Sequence, residues 1–349
     1  MSDLDYRPAA EGDSGQSPDG AGILPVRTRS HAGRWKALAE AWAFPALFVV
    51  VAIFFSLWSE TSNTFPTTAN VQSILGGQAV IGILALAVLI PLVGNQFDLS
   101  VGANLGLSSV LAASVLADGA SIPIAILVAI GVGGAIGVVN GLLVTRARVN
   151  SVIATLGTSI IIDGIIQWKT GGVAIVNIPA SLTAFGSANT LAIPRTFIVL
   201  VIVSVFIYYL LEYTPFGRYI YSVGSNANAA RLVGLNTSRL VFLSFVAAGT
   251  FSGAAGFLQL ARDGGASPQV GDNFTLPALA AAFLSAAAIR PGRFNVWGLI
   301  IAIFFLAALN SGLDLAGAQT YVSDFVNGIA LISGVALSGL FRRDRSAAA

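Results

Sequence analysis

The residues able to do chemistry in this chain are few, and their types exclude most reactions. His31 is the single histidine and there is no cysteine. Neither a zinc cluster, nor a thiolate nucleophile, nor a Ser-His-Asp arrangement in the apolar body can be assembled from that inventory. The lysines, Lys36 and Lys169, each follow a tryptophan, so there is no Gly-Lys-Ser/Thr loop to cradle a nucleotide phosphate. What remains is hydrogen bonding. Asp98 and Ser100 stand directly before an apolar run that opens at Val101; a carboxylate and a hydroxyl there suit the free amides of a first helical turn, and both are expected as structural caps. Gln78, Asn95, Gln96, Asn140 and Asn310 are neutral hydrogen-bonding groups within or beside apolar runs, with the aromatic Phe97 among them. Amides with an aromatic wall would suit a path for a hydrogen-bonding solute, and each amide serves equally well as a helix-to-helix hydrogen bond.

One polar stretch, 213–239, carries more information than the rest. Asn226 can accept from the amides of a first turn, Ala227, Ala229 and Ala230 favour helix, Arg231 falls in the last turn where the dipole favours a cation, and Gly234 suits a left-handed C-terminal stop. The spacing predicts a short helix between two longer ones, with Leu232, Val233 and Leu235 as an apolar knob. Such a knob fits either a cleft on another protein or the bundle and headgroups beside it.

The elements that must hold these residues are apolar. Of 349 residues, 55% are hydrophobic and 10% charged, against about 25% charged in soluble domains. Ten continuous apolar stretches approach the ~20 residues a bilayer-crossing helix needs: Ala41–Trp58, Val71–Val93, Val101–Ala117, Ile122–Thr145, Ser151–Trp168, Arg195–Glu212, Leu240–Ala261, Leu276–Ile289, Asn295–Leu313 and Tyr321–Leu340. Their continuity favours helices over an alternating barrel pattern. The eighth is short enough to be re-entrant, and 94–100 is either a loop or a break within the membrane. With both termini in the cytoplasm, all of the 18 Lys and Arg residues except Lys169, Arg195 and Arg262 fall inside, as the positive-inside rule requires. The expectation is an all-α polytopic membrane protein of about ten spans: a disordered tail over 1–40, one transmembrane body over 41–340, and a cytoplasmic end over 341–349. Residues 1–33 are polar and without apolar periodicity, and the first span is expected to persist as an anchor. Gly133, Gly137 and Gly141, and separately Gly249 and Gly253, form stripes suited to close helix packing. No short-period repeat is visible.

Four segments, in order, resemble the permease subunit of bacterial ribose-type (monosaccharide) ABC importers: Phe97-Asp98-Leu99-Ser100-Val101-Gly102; Asn140-Gly141 with Ile153-Ala154-Thr155-Leu156-Gly157-Thr158; Phe216-Gly217-Arg218 with Ala229-Ala230-Arg231-Leu232-Val233-Gly234; and Pro291-Gly292-Arg293-Phe294. The resemblance implies that Asn226, Ala229, Ala230, Arg231, Leu232 and Gly234 belong to a coupling helix that seats on a separate ABC ATPase. It also implies a homodimer of permeases in the bacterial inner membrane and a periplasmic or lipid-anchored solute-binding protein, with no cofactor and no nucleic acid. Two departures stand out: Ala287-Ala288-Ile289-Arg290 replaces a Gly-Gly-Thr-Ser turn, and Asp163 replaces an arginine. A stand-alone ion-coupled transporter or channel is the alternative; its carboxylates form no regular relay. A membrane enzyme fits poorly.

Overall fold

The computed structural model describes residues 31–347, with side chains placed for 41–319 and 321–336. Thirteen helices account for nearly all of it: α1 (His31–Leu57), α2 (Thr68–Val93), α3 (Val101–Ala117), α4 (Ile122–Thr145), α5 (Ser151–Thr170), α6 (Ala180–Ser187), α7 (Arg195–Tyr213), α8 (Pro215–Ser225), α9 (Ala227–Leu232), α10 (Thr237–Asp263), α11 (Thr275–Leu284), α12 (Val296–Leu315) and α13 (Thr320–Ala347). A small antiparallel pair, β1 (Asn189–Thr190) and β2 (Ile193–Pro194), lies before α7. Six helices are long and apolar enough to cross a membrane, namely α2, α4, α5, α7, α10 and α12, and four shorter apolar segments fall in α1, α3, α11 and α13. This is an all-α membrane protein.

The expected spans map onto these helices with modest corrections. The expected tail lies largely outside the described residues, but α1 already begins at His31. The eighth span is shorter still than expected: α11 ends at Leu284 and a single 3₁₀ turn, Ser285–Ala287, follows it. The polar stretch 213–239 holds two helices rather than one, because Thr214 caps an additional amphipathic helix, α8, accepting from the Gly217 amide. Helix α6 was not anticipated; its eight residues are too short for periodicity to show.

Packing follows a two-part plan. Helix α10 packs on α3 and α4, and α2 packs correspondingly on α11 and α12. Likewise α3 packs on α5 and α11 on α13, while α2 and α10 pack on each other. The quartets α2–α5 and α10–α13 are therefore equivalent, each a long helix, an irregular break, a short helix and two more. Helix α2 runs toward the end that carries α8 and α9, and α10 runs away from it, so the arrangement is an inverted repeat.

The two breaks meet inside the bundle. Asn104, in the first turn of α3, donates to the carbonyls of Gly133 and Gly249. Those two residues lie about three turns, or roughly 18 Å, from the α9 ends of α4 and α10. A Cβ on neighbouring Gly102 would collide with Gly271 and Thr275 at the start of α11. Both short helices thus begin deep among their neighbours. Buried irregular backbone is tolerated in a membrane body only where protein groups satisfy it.

The α4–α10 contact explains the glycine stripes. A Cβ at Gly133 would meet the Gly249 carbonyl, one at Gly137 the Phe245 carbonyl, and one at Gly253 the Ala129 carbonyl. The helices touch backbone to backbone, the geometry that small residues permit.

Candidate functional site

The first break is held by hydroxyls and one carboxylate. The amides of Phe97 and Leu99 donate to Ser151 Oγ at 3.2 Å and Thr155 Oγ1 at 3.1 Å on α5. Asp98 Oδ1 accepts from the Ser100 amide at 3.0 Å and from the Ser100 hydroxyl at 2.6 Å, and Asn140 Nδ2 donates to that hydroxyl at 2.8 Å. Asp98, Ser100 and Asn140 are all buried. This corrects the cap assignment for Ser100, while the Asp98 carboxylate does take a free amide just ahead of α3, that of Ser100. Ser100 already has helical backbone (φ −87°, ψ −4°) and makes no side-chain cap bond, whereas a capping side chain needs extended backbone. Asp98 and Ser100 instead form a buried chain with Asn140 that ties the break to α4.

At the α9 end, the short helix has defined stops. Asn226 Oδ1 accepts from the amides of Asn228 and Ala229, both at 3.0 Å. Gly234 adopts φ +86°, its amide reaches the Arg231 carbonyl, and the Leu235 amide reaches Ala230, which is the paired bonding of a glycine-stopped helix. Ala230 is buried in the main core while Leu232 is 89% and Val233 77% exposed; Leu235 is half-buried against that core. Arg231 is exposed and its Nε donates to Thr237 Oγ1 at 3.0 Å.

Helix α8 connects this projection to the break. Its Gly217, Ile220 and Val223 are buried. A Cβ at Gly224 would run into the Val93 carbonyl, and one at Gly94 into Ile220, so α8 rests directly on the end of α2 where the break begins. On its other side, Tyr221 donates to the Phe294 carbonyl at 2.7 Å and lies under the Arg293 guanidinium at 3.9 Å. Burial pushes the Tyr221 phenol up to about 12. Glu212 pairs with Arg290 at 2.7 Å and Arg293 at 3.4 Å, and its hydrogen bond holds the Arg290 guanidinium above its ordinary range. Arg290 belongs to the Ala-Ala-Ile-Arg departure, so the altered turn carries an ion pair to the α7–α8 elbow.

The amides singled out by sequence fall in three places. Gln78 and Asn310 line one small cavity of about 70 Å3 between α2, α11, α12 and α13, together with Asn327. Asn310 Nδ2 makes a long 3.5 Å bond to Asn327 Oδ1, and the buried Asn310 Oδ1 has no partner. Asn95 and Gln96 line a separate cavity beside α9. Asn140 belongs to the buried chain above, its Oδ1 also without a partner. Asn140 and Asn310 occupy matching positions in the two quartets, each five residues before the end of its helix, at Thr145 and Leu315. Phe97 stacks at 6.0 Å on Phe283 of α11. Asn327, Tyr221 and the Glu212 pairs were missed; each is a lone polar residue whose partner is remote in sequence.

A bundle of apolar helices in an inverted repeat, broken at its centre and bearing a capped amphiphilic projection at one end, defines a membrane transport subunit. The chain belongs to the family described as branched-chain amino acid transport system / permease component, which matches residues 70–334, and it is a multi-pass protein of the bacterial inner membrane. It is 31% identical to the ribose import permease of Escherichia coli K12 over 89% of this chain and 98% of that protein. It is 32% identical to the ribose import permease of Bacillus subtilis 168, over 84% and 91%, and 30% identical to the D-allose transport system permease of Escherichia coli K12, over 86% and 91%. No solved structure matches it.

Proposed function

We propose that this chain is the membrane subunit of an ATP-driven importer that moves a monosaccharide or similar uncharged polyol into the cytoplasm by alternating access. The family description names amino acids and the relatives' names point to sugars. The chemistry of the Gln78–Asn310–Asn327 cavity favours the second class. Its other lining residues are apolar and no ionisable group lines it; an amino acid's ammonium and carboxylate would arrive there without counter-charges, at high desolvation cost. A sugar hydroxyl, both donor and acceptor, matches an amide cluster with an unpartnered acceptor.

In this reading both termini and the α8–α9 end face the cytoplasm, ten helical segments span the bilayer, and hydrolysis resides on a separate ATPase. Helix α9 seats on that ATPase, a solute-binding protein delivers substrate to the opposite face, and two permease copies pair. The single observation that carries the coupling role is the build of α9: a capped helix anchored by buried Ala230 that presents Leu232 and Val233 fully to the outside. Nucleotide-driven movement of α9 would act through α8 on Val93–Gly94 and so on the central break; the shift between inward- and outward-open states is set by the partners' differential affinity for them. Reconstitution in liposomes tests this. Uptake of labelled ribose should require binding protein, ATPase subunit and ATP; uptake that persists without any ATPase would reject the proposal in favour of ion-coupled or passive transport.

A further inference from the structure

Beside α9 lies a cavity of about 610 Å3, far larger than the amide cavity. Two guanidinium groups from different elements line it: Arg231 on α9 and Arg148 in the turn between α4 and α5. No carboxylate lines it, and the segments 146–150 and 213–239 contain no Asp or Glu at all. Asp98, two residues beyond the lining residue Gln96, is buried and hydrogen-bonded to Ser100, and Glu212 is engaged by Arg290 and Arg293 in the only ion pairs among the described residues. Arg231 uses Nε on Thr237; Arg148 makes no hydrogen bond or ion pair among the described residues. Arg148 also sits at φ +56°, a left-handed backbone that residues other than glycine seldom adopt. Two cations therefore share one recess with no counter-charge among the described residues.

We infer that this recess is a socket for an acidic side chain of the ATPase subunit, so that the α4–α5 turn and α9 form one composite docking surface. The inference rests on the docking role of α9. Leu232 and Val233, which directly follow Arg231 at the end of α9, are the apolar surface that docking would cover, and a covered pair of like charges needs an opposite charge opposed to it. The partner's face is thus acidic where it meets Arg148 and Arg231. Because Gly94, Asn95 and Gln96 also line it, an acid held there also bears on the first break.

The test is titration of the ATPase subunit onto the permease in neutral-lipid nanodiscs at several salt concentrations. Arg148→Glu should weaken binding about tenfold or more and flatten its salt dependence, Arg148→Lys should retain most of the affinity, and Arg146→Glu, outside the cavity lining, should change it little. Arg148 is exposed, so these variants keep the fold. Leu232→Asp reports separately on α9. If Leu232→Asp abolishes binding while Arg148→Glu leaves affinity and salt slope unchanged, the socket is refuted and the docking role stands. If both variants bind as wild type, the docking role itself fails. An Arg148 effect confined to anionic bilayers would assign the cation to lipid headgroups and also overturn the socket.

Discussion

Asn140 Nδ2 stands 2.8 Å from Ser100 Oγ, joining α4 to the end of the break that precedes α3. The Ser100 hydroxyl in turn donates to Asp98 at 2.6 Å, so one buried hydroxyl serves both a carboxylate and an amide. Removing a partner strands a buried polar group, at about 1–3 kcal/mol. Asn140→Ala should therefore lower stability by that amount, and Ser100→Ala by at least as much because it takes a bond from each neighbour. The double variant should cost less than the two single losses added together, since both remove the same bond. Unfolding monitored in detergent checks this; additive losses would show that the chain does not act as a unit.

The glycine contacts give predictions of opposite sign for the same substitution. Gly157 faces open space on α5, so Gly157→Ala should stabilise by roughly 0.5–1 kcal/mol through helix propensity. At Gly249 the added methyl meets the Gly133 carbonyl, and Gly249→Ala should destabilise by about 1–3 kcal/mol through overpacking. Thermal unfolding of the two variants side by side is sufficient, and an equal response would contradict the close α4–α10 approach.

The bounds of α3 and α4 were legible to the residue because polar residues and turns bracket continuous apolar runs. The stops of α9 were legible for a related reason: capping is local, and Asn226 and Gly234 carry their signals within one turn. The inverted repeat was not legible. Its equivalence lies in which helices pack, and an apolar span constrains residue identity so weakly that two quartets can share an architecture without a visible repeat. The role of Ser100 was misread because sequence shows its proximity to α3 but not that its backbone has already turned helical. Gln78 and Asn310 were recognised singly; their meeting with Asn327 depends on the packing of α13 against α11 and α12.

Gly234 isolates the backbone contribution to coupling. A Cβ at this position would meet nothing within 4 Å, and the residue's φ is +86°, so Gly234→Ala costs only the left-handed penalty of about 1–2 kcal/mol. Local loosening of α9 should follow, seen as faster amide exchange over 227–235, with a moderate fall in solute moved per ATP. Gly234→Pro also deletes the amide that bonds to Arg231 and should uncouple hydrolysis from uptake, as should Arg231→Glu, while membrane insertion is retained. Unchanged uptake in both Gly234→Pro and Arg231→Glu would refute a coupling role for this helix.

Tyr221 should titrate late. Burial is the largest influence on its phenol, which is pushed up to about 12, above the unperturbed ~10. The folded chain therefore holds this proton more tightly than the unfolded chain. The resulting stability is complete below about pH 10 and disappears as pH rises through about 12. Phenolate absorbance should show a late-titrating component that is missing in Tyr221→Phe. The same variant loses the bond to the Phe294 carbonyl, worth about 0.5–1.5 kcal/mol, but keeps an aromatic face under Arg293. A Tyr221→Leu variant loses both, and should loosen α8 from the 288–295 turn more than the phenylalanine does. Equal stability of the two variants would show that the stacked guanidinium contributes nothing to holding α8 in place.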